Sequence, residues 1–383
     1  MDFSKVKDLM SVDISDLKNK IKNKPIEKKP VKKKELNRKV VSFDFGSDTT
    51  KVVVGKYYKG QLEIERLITA KTPVDAVGDG NILNQEVMTV FLEQLLNNNK
   101  INIKDAICTN NSTSIINREV VIPAVQEDEL STVVKYEIQQ YLPINMDDYV
   151  IQQSILDRFQ VESKLKFKAL VITYPEKLAM KYYKLLTNSN LKPLALDISY
   201  NSLNKLVNYS NKVNDEAYST EETIAFIDMG ASTLSVSIYK NGKFEFTRLI
   251  KSGGANIDGA LSRAMGVSLE VAEDIKKNKG DLLILSDNED TSNRIIRDVV
   301  DEWSMELERI IQFYRNKKVG NSIDKIFLYG GSSNIKGMER YIYDRFSIPT
   351  SKVRTMANVN LNLKIATETI EQYLNAIGSI IRL

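Results

Sequence analysis

The chain has no histidine and one cysteine, Cys108, among its 383 residues. A Ser-His-Asp triad, a Cys-His dyad, a zinc finger and an internal disulfide are thereby excluded. Any chemistry rests on carboxylates, hydroxyls, lysines and backbone amides. No apolar run reaches the length of a membrane-spanning helix and the N-terminus has no signal-type apolar core, so a cytoplasmic location is expected. What remains is 42% hydrophobic and 27% charged, ordinary for a globular chain long enough to hold two domains. Glycine and proline are sparse, at 17 and 8, so clustered glycines carry information.

The formal charge of +4 is unevenly spread. Residues 1–39 hold 13 Lys/Arg against 6 Asp/Glu, an excess of +7 that leaves about −3 for the rest. The body is therefore a poor nucleic-acid binder, and no nucleic-acid partner is expected. Residues 22–39, KNKPIEKKPVKKKELNRK, predict a solvated, largely disordered linker within this basic extension. Ahead of it, Phe3, Val6, Leu9, Met10, Ile14, Leu17 and Ile21 recur at helical spacing. Residues 2–21 read either as a frayed tail or as an amphipathic helix for a partner or a membrane surface.

The body opens with VVSFDFGSDTTKVVVGKYYKG at 40–60, two β-branched runs joined by an acidic, glycine-containing turn. Alone, that turn is either a surface hairpin or a phosphate site. The stretch TIAFIDMGASTLSVSIYKNGKFEFTRLI at 223–250 repeats the plan, with Asp228 in the place of Asp44. Each copy reads as three strands (40–45, 51–58 and 61–69 in the first), followed by helices near 84–99 and 254–266. Two copies half a chain apart imply α/β halves with mixed sheets facing each other across a cleft.

Small-residue turns between strands aim backbone amides at one point and make a partial nest for a phosphate oxygen. Gly46, Ser47, Thr49 and Thr50 supply the first turn; Gly230, Ala231, Ser232 and Thr233 supply the second. Asp44 and Asp228 then flank a polyphosphate and suit a partly hydrated Mg²⁺, held directly or through water. Lys51 reads either as a point charge for the phosphates or as an ordinary strand lysine. A third turn, Gly330-Gly331-Ser332, follows the apolar run KIFLY and precedes a helix beyond Gly337; bare glycines there let a flat adenine approach the backbone. Between the second and third turns lie Gly253, Gly254 and Asn256, then Glu273 and Lys276 one helical turn apart. That pair reads either as surface ion pairing or as contacts to ribose and base.

The ordered set DFGSDTTK, IDMGASTLS, GGANI…VAEDIKK, LYGGSSNIKGM and YLNAIGSIIRL resembles the actin-like ATPase superfamily, which includes actin, heat-shock chaperone ATPases, MreB and FtsA. Within it, NREVVIPAVQEDELSTVVKYEIQQYLPINMDDYVIQQSIL at 117–156 and LKPLALDISYNSLNKL at 191–206 resemble the type IV pilus assembly protein PilM family. The resemblance implies an actin-like (ribonuclease H-like) duplicated α/β fold. Subdomain IA would be 40–107 and 166–206, a small subdomain IC 108–165, and domain II (IIA and IIB) 207–383, with a C-terminal helix returning to domain I. Val121, Ile122, Val133, Val134, Ile138 and Leu142 read as the core of IC. It further implies bound ATP and Mg²⁺, a groove that holds the cytoplasmic N-terminal tail of a PilN-like inner-membrane protein, a link to the pilus motor ATPase, self-association, and residence at the inner face of the cytoplasmic membrane.

Asp197, on the connector, is the one candidate for a catalytic base, so any ATPase is expected to be slow. Two departures from the family stand out: the basic extension, and Asp48, whose charge beside the phosphates opposes nucleotide unless Mg²⁺ offsets it. Two other readings compete. One is a membrane-tethered filament protein of the FtsA type; the other is a small-molecule kinase on the same fold, which would need polar groups that read its substrate. Because residues 1–38 lack the means to form a core, deleting them is expected to leave the melting temperature within a few degrees. If residues 2–21 meet lipid, binding should favour anionic vesicles, at roughly 1 kcal/mol per basic residue near the surface, and vesicle co-sedimentation reads this directly.

Overall fold

The computed structural model describes residues 37–142, 145–218, 221–284, 290–362 and 369–382. The expectations for residues 1–36, including the helix at 2–21, lie outside the described residues. The first half runs β1 (Val40–Phe45), β2 (Thr49–Tyr58), β3 (Gln61–Lys71), α1 (Gln85–Asn98) and β4 (Asp105–Asn110). An inserted unit follows: β5 (Ile116–Pro123), α2 (Glu127–Tyr141), β6 (Tyr149–Val161) and β7 (Lys164–Pro175). The chain then returns through α3 (Glu176–Asn188), β8 (Lys192–Ile198) and α4 (Ser199–Tyr209). The second half runs β9 (Thr223–Met229), β10 (Leu234–Lys240), β11 (Lys243–Ile250), α5 (Gly254–Met265), α6 (Leu269–Lys279), α7 (Thr291–Lys317), β12 (Lys325–Tyr329), α8 (Met338–Phe346) and β13 (Thr350–Lys352). Finally β14 (Val359–Leu361) and α9 (Leu374–Ile380) come back to the first half.

The two large sheets share one plan. In the first the order is β8-β4-β1-β2-β3-β14, and in the second β11-β10-β9-β12-β13. β1 pairs antiparallel with β2 and parallel with β4, as β9 pairs antiparallel with β10 and parallel with β12. Central strands covered on both faces need near-continuous apolar residues, and VVSFDF and TIAFIDM supply them. Asp44 and Asp228 occupy the same penultimate position of β1 and β9, the one charged residue in each run. The duplication read from sequence is thus a duplication of sheet topology.

The inserted unit is a three-stranded sheet, β5-β7-β6, backed by α2. Val120, Ile122, Val134, Ile138, Met146, Ala169 and Val171 form its core. Two expectations are corrected here. Val121 is 47% exposed, because alternate residues of a strand face opposite ways and Val120 and Ile122 hold the inner face; Val133 and Leu142 only flank the core. The boundary at 165 also falls inside β7, which stays paired with β5 and β6 as far as Pro175, so the unit spans 116–175.

A further apolar cluster belongs to both halves. Val53, Leu62 and Ile64 of the first sheet share it with Phe226, Phe327 and Tyr329 of the second, with Leu203 and Leu206 of α4 and Ile377 of α9 between them. Every residue of α9 is buried. Lys205 fastens its end, donating to the Ile381 carbonyl at 3.0 Å while paired with Asp197 at 2.6 Å. Ser42 and Ser379 hydroxyls meet at 2.5 Å. Gly378 lies so close to α4 that an added Cβ would collide with the Ser202 carbonyl oxygen. Gly378→Ala therefore has to push two backbones apart, and a loss of about 1–3 kcal/mol in a denaturant titration is expected.

Candidate functional site

The turns after β1 and β9 face each other across a cavity of about 530 Å³. Of the residues expected to form a site, Asp44, Gly46, Ser47, Thr49 and Lys51 line it from the first half. Asp228, Gly230, Ala231, Ser232, Thr233, Gly254, Glu273, Lys276, Gly330, Gly331 and Ser332 line it from the second. Thr50, Gly253, Asn256 and Asp197 are not among the lining residues. Each has a physical reason. Thr50 alternates to the inner face of β2 and bonds Thr72 Oγ1 at 2.9 Å. Gly253 packs against the second turn, where a Cβ would stand 2.5 Å from the Ala231 carbonyl oxygen, and Asn256 Oδ1 accepts from the Gly253 amide at 2.9 Å. Their work is to seat α5 on the turn, which Gly254 N and Ala255 N complete by donating to Gly230 O and Ala231 O.

Asp197 is a strut instead of a free base. Its carboxylate accepts from Lys205 at 2.6 Å and from Asn201 at 2.7 Å. Burial works against its charge, but Lys205 and Arg382 prevail and hold the carboxyl below its usual range. Two residues further along, Ser199 is the connector residue that reaches the cavity.

At the cavity floor, Asn375 of α9 donates from Nδ2 to Asp228 at 3.0 Å and to Asp44 at 3.3 Å. Sequence reasoning missed this residue, since an asparagine in an apolar closing motif shows nothing of the two acids it meets. Burial pushes Asp228 up to about 6; Asn375 opposes that rise, and the nearby charge of Asp44 adds to it. Asp44 is raised by burial as well, against the pull of Lys51 and Asn375. Lys51 stands opposite Asp44 in the β1–β2 ladder and bonds Thr49 Oγ1 at 2.5 Å.

The third turn divides its labour between two glycines. Gly330 has φ +86°, and an added Cβ there would strike Asp228 Oδ1. Gly331 has open space where a side chain would be. Opposite, Lys276 donates to Asp258 at 2.7 Å and to the Gly254 carbonyl at 3.2 Å, so Glu273 and Lys276 do not pair with each other. Asp258 Oδ1 is buried with no hydrogen-bond partner among the described residues, an acceptor left for a ligand hydroxyl or amine.

Lys71 bridges two lining residues from opposite halves. Its ammonium stands 2.6 Å from both Asp48 of the first half and Glu273 of the second. Burial opposes the charge on Glu273, yet Lys277 and Lys71 hold it down to about 2. Asp48 is thereby matched by a lysine, which answers part of the repulsion expected of it. Ser47 and Ser232 also touch across the cleft, at 3.0 Å.

Two carboxylates with room for water and phosphate fit Mg²⁺, which is held by one or two protein carboxylates and completes its octahedron elsewhere. The raised pKa of Asp228 has a measurable consequence. Because the folded value lies above the ordinary 3.8, the folded chain favours the protonated acid, and the stability this confers is lost as pH rises through about 6. In EDTA, Asp228→Asn is therefore expected to raise the melting temperature at about pH 7 and to change it little at about pH 4; an equal shift at both would contradict the assignment.

Comparison with known proteins places these features. The sequence model of the family described as type IV pilus assembly protein PilM matches residues 42–382. The cell division protein FtsA of Bacillus subtilis (strain 168) is 24% identical over 267 residues, covering 63% of this chain and 58% of FtsA. The chain thus spans rather more than half the length of that relative. Among solved structures, one described as a PilM-PilN type IV pilus biogenesis complex superposes with a TM-score of 0.77 at 18% identity, over 91% of this chain and 99% of that one. MreB5 of Spiroplasma citri bound to ADP gives 0.50 at 14%, over 90% and 95%. These likenesses show an actin-like fold. With its family match running from within β1 to two residues beyond α9, the chain belongs to the type IV pilus assembly protein PilM family.

Proposed function

We propose that this protein is an ATP-binding scaffold of type IV pilus assembly, acting at the inner face of the cytoplasmic membrane. The observation that carries the reading is the cavity between two duplicated Asp-x-Gly turns, with a bare glycine at its third wall, in a chain of the PilM family. The ADP held by MreB5 of the same fold supports a nucleotide here. Mg²⁺ would be held by Asp44 and Asp228 and would neutralise phosphate charge. Lys51 supplies a point charge, Ser47, Thr49, Ser232 and Thr233 supply hydroxyl donors, and Glu273 and Lys276 face the ribose and base. With Asp197 engaged by Lys205 and Ser199 in its place at the cavity, no carboxylate on the connector is ready to take a proton from water, so any turnover is slow.

The partner is a PilN-like inner-membrane protein, a reading supported by the solved complex of that description. Its short N-terminal tail lies along the inserted unit at 116–175, whose outer strands β5 and β6 have no neighbour beyond β7 among the described strands. An extended tail gains main-chain bonds at such an edge and a few apolar anchors. Through this contact the scaffold links the membrane protein to the pilus motor. The basic N-terminal extension adds a peripheral membrane contact.

Gly331→Val tests the nucleotide site with little risk to folding, because its side chain meets open space. We expect a loss of fluorescent ATP-analogue binding of at least about tenfold, since a branched side chain then occupies the ring's place; unchanged affinity would remove the third turn from the site. For the partner, isothermal titration of the full chain with a synthetic PilN-like tail should give saturable binding, and hydrogen exchange should show protection within 116–175. Protection confined to the second sheet would move the partner elsewhere.

A further inference from the structure

Asn375 stands between two carboxylates that come from different halves of the molecule. Its Nδ2 reaches Asp228 Oδ2 at 3.0 Å and Asp44 Oδ2 at 3.3 Å, so the two hydrogens of one amide serve both acids. The orientation of the amide is fixed by its surroundings. Ionised carboxylates only accept, and the Tyr329 hydroxyl approaches Asn375 Oδ1 at 3.4 Å from the other side. Asn375 is 5% exposed, so it has few other partners to turn to.

Apart from those of Asn375, the polar ties of its carrier run to the first half. α9 is tied to the first half through Ser379 to Ser42, through Gly378 against α4, and through Lys205 to the carbonyl of Ile381. Asp228, by contrast, belongs to β9 of the second half. The amide is therefore a bond from the first half to the acid of the second, placed where like charges would otherwise repel at the cavity floor.

We propose that Asn375 is a positioning residue that does the work of a cation between the two acids whenever no divalent ion is bound. Its amide clips Asp44 and Asp228 together and yields them when a divalent cation enters. The inference rests on the Mg²⁺-nucleotide reading for its second half alone; the clip itself rests on the contacts. It assigns the C-terminal helix a direct part in the chemistry of the cleft, beyond packing.

The experiment uses the full chain without nucleotide. Removing the amide by Asn375→Ala should lower the melting temperature in EDTA and much less in excess MgCl₂, and Mg²⁺ should bind about tenfold tighter by calorimetry, since the amide no longer competes for the acids. In an Asp228→Asn background the loss from Asn375→Ala in EDTA should shrink to less than half. A loss of equal size in EDTA, in MgCl₂ and beside Asp228→Asn would overturn the proposal and leave Asn375 a packing residue. Should Asn375→Ala fail to fold, Asn375→Ser, whose hydroxyl can donate to only one acid, is read in the same way. Binding of the fluorescent ATP analogue to the unaltered chain is measured alongside: its absence sinks the nucleotide reading and leaves the clip standing, while its presence without the cation-dependent rescue does the reverse.

Discussion

The constraint on which this molecule turns is the meeting of two aspartates at the base of a cleft. Each half delivers its acid at the end of a buried central strand, where solvent does little to screen it. Like charges held in such a place demand compensation. The fold meets that demand in three ways: Lys51 stands across the ladder from Asp44, an amide lies between the acids, and Asp228 has its proton held up to about 6. The rest of the site follows from this arrangement. Gly330 must be bare so that Asp228 has room, and the closing helix must return across the domain boundary so that its asparagine arrives at the right depth.

A good part of this was legible in the sequence, because the features concerned are local. The two Asp-x-Gly turns, the glycine pair after KIFLY, and the helices that follow them are each written within a dozen residues, and strand periodicity and turn chemistry decide them. What escaped is what the chain assembles from afar. Asn375 and Asp44 are 331 residues apart, Lys71 and Glu273 are 202 apart, and no local pattern marks either meeting. Two misplacements came from reading a run as uniform where a strand alternates: Val121 sits on the outer face between two inner neighbours, and Thr50 points inward between two residues that line the cavity. Asp197 escaped in another manner. Its partner Lys205 lies two helical turns on, a spacing visible in the sequence, but whether that lysine turns toward the strand is settled only by the packing of α4 against α9.

The shared apolar cluster explains how the halves hold their relative place without any ligand. Phe226 and Phe327 from one sheet and Leu62 and Ile64 from the other bury against the same two helices. A cleft built over such a base opens by bending at its mouth more readily than at its floor, since the floor would have to part close-packed side chains.

Lys71 sits at the rim, joined to Asp48 on one lip and Glu273 on the other, with Ser47 and Ser232 touching nearby. At this rim a visitor meets groups already bonded to each other. Whatever it gains is measured against the self-association it disrupts, so an affinity determined from outside is lower than the grip inside by the fraction of time the lips stand apart. Ionic strength then acts on two stages at once, loosening the lips while screening a charged guest.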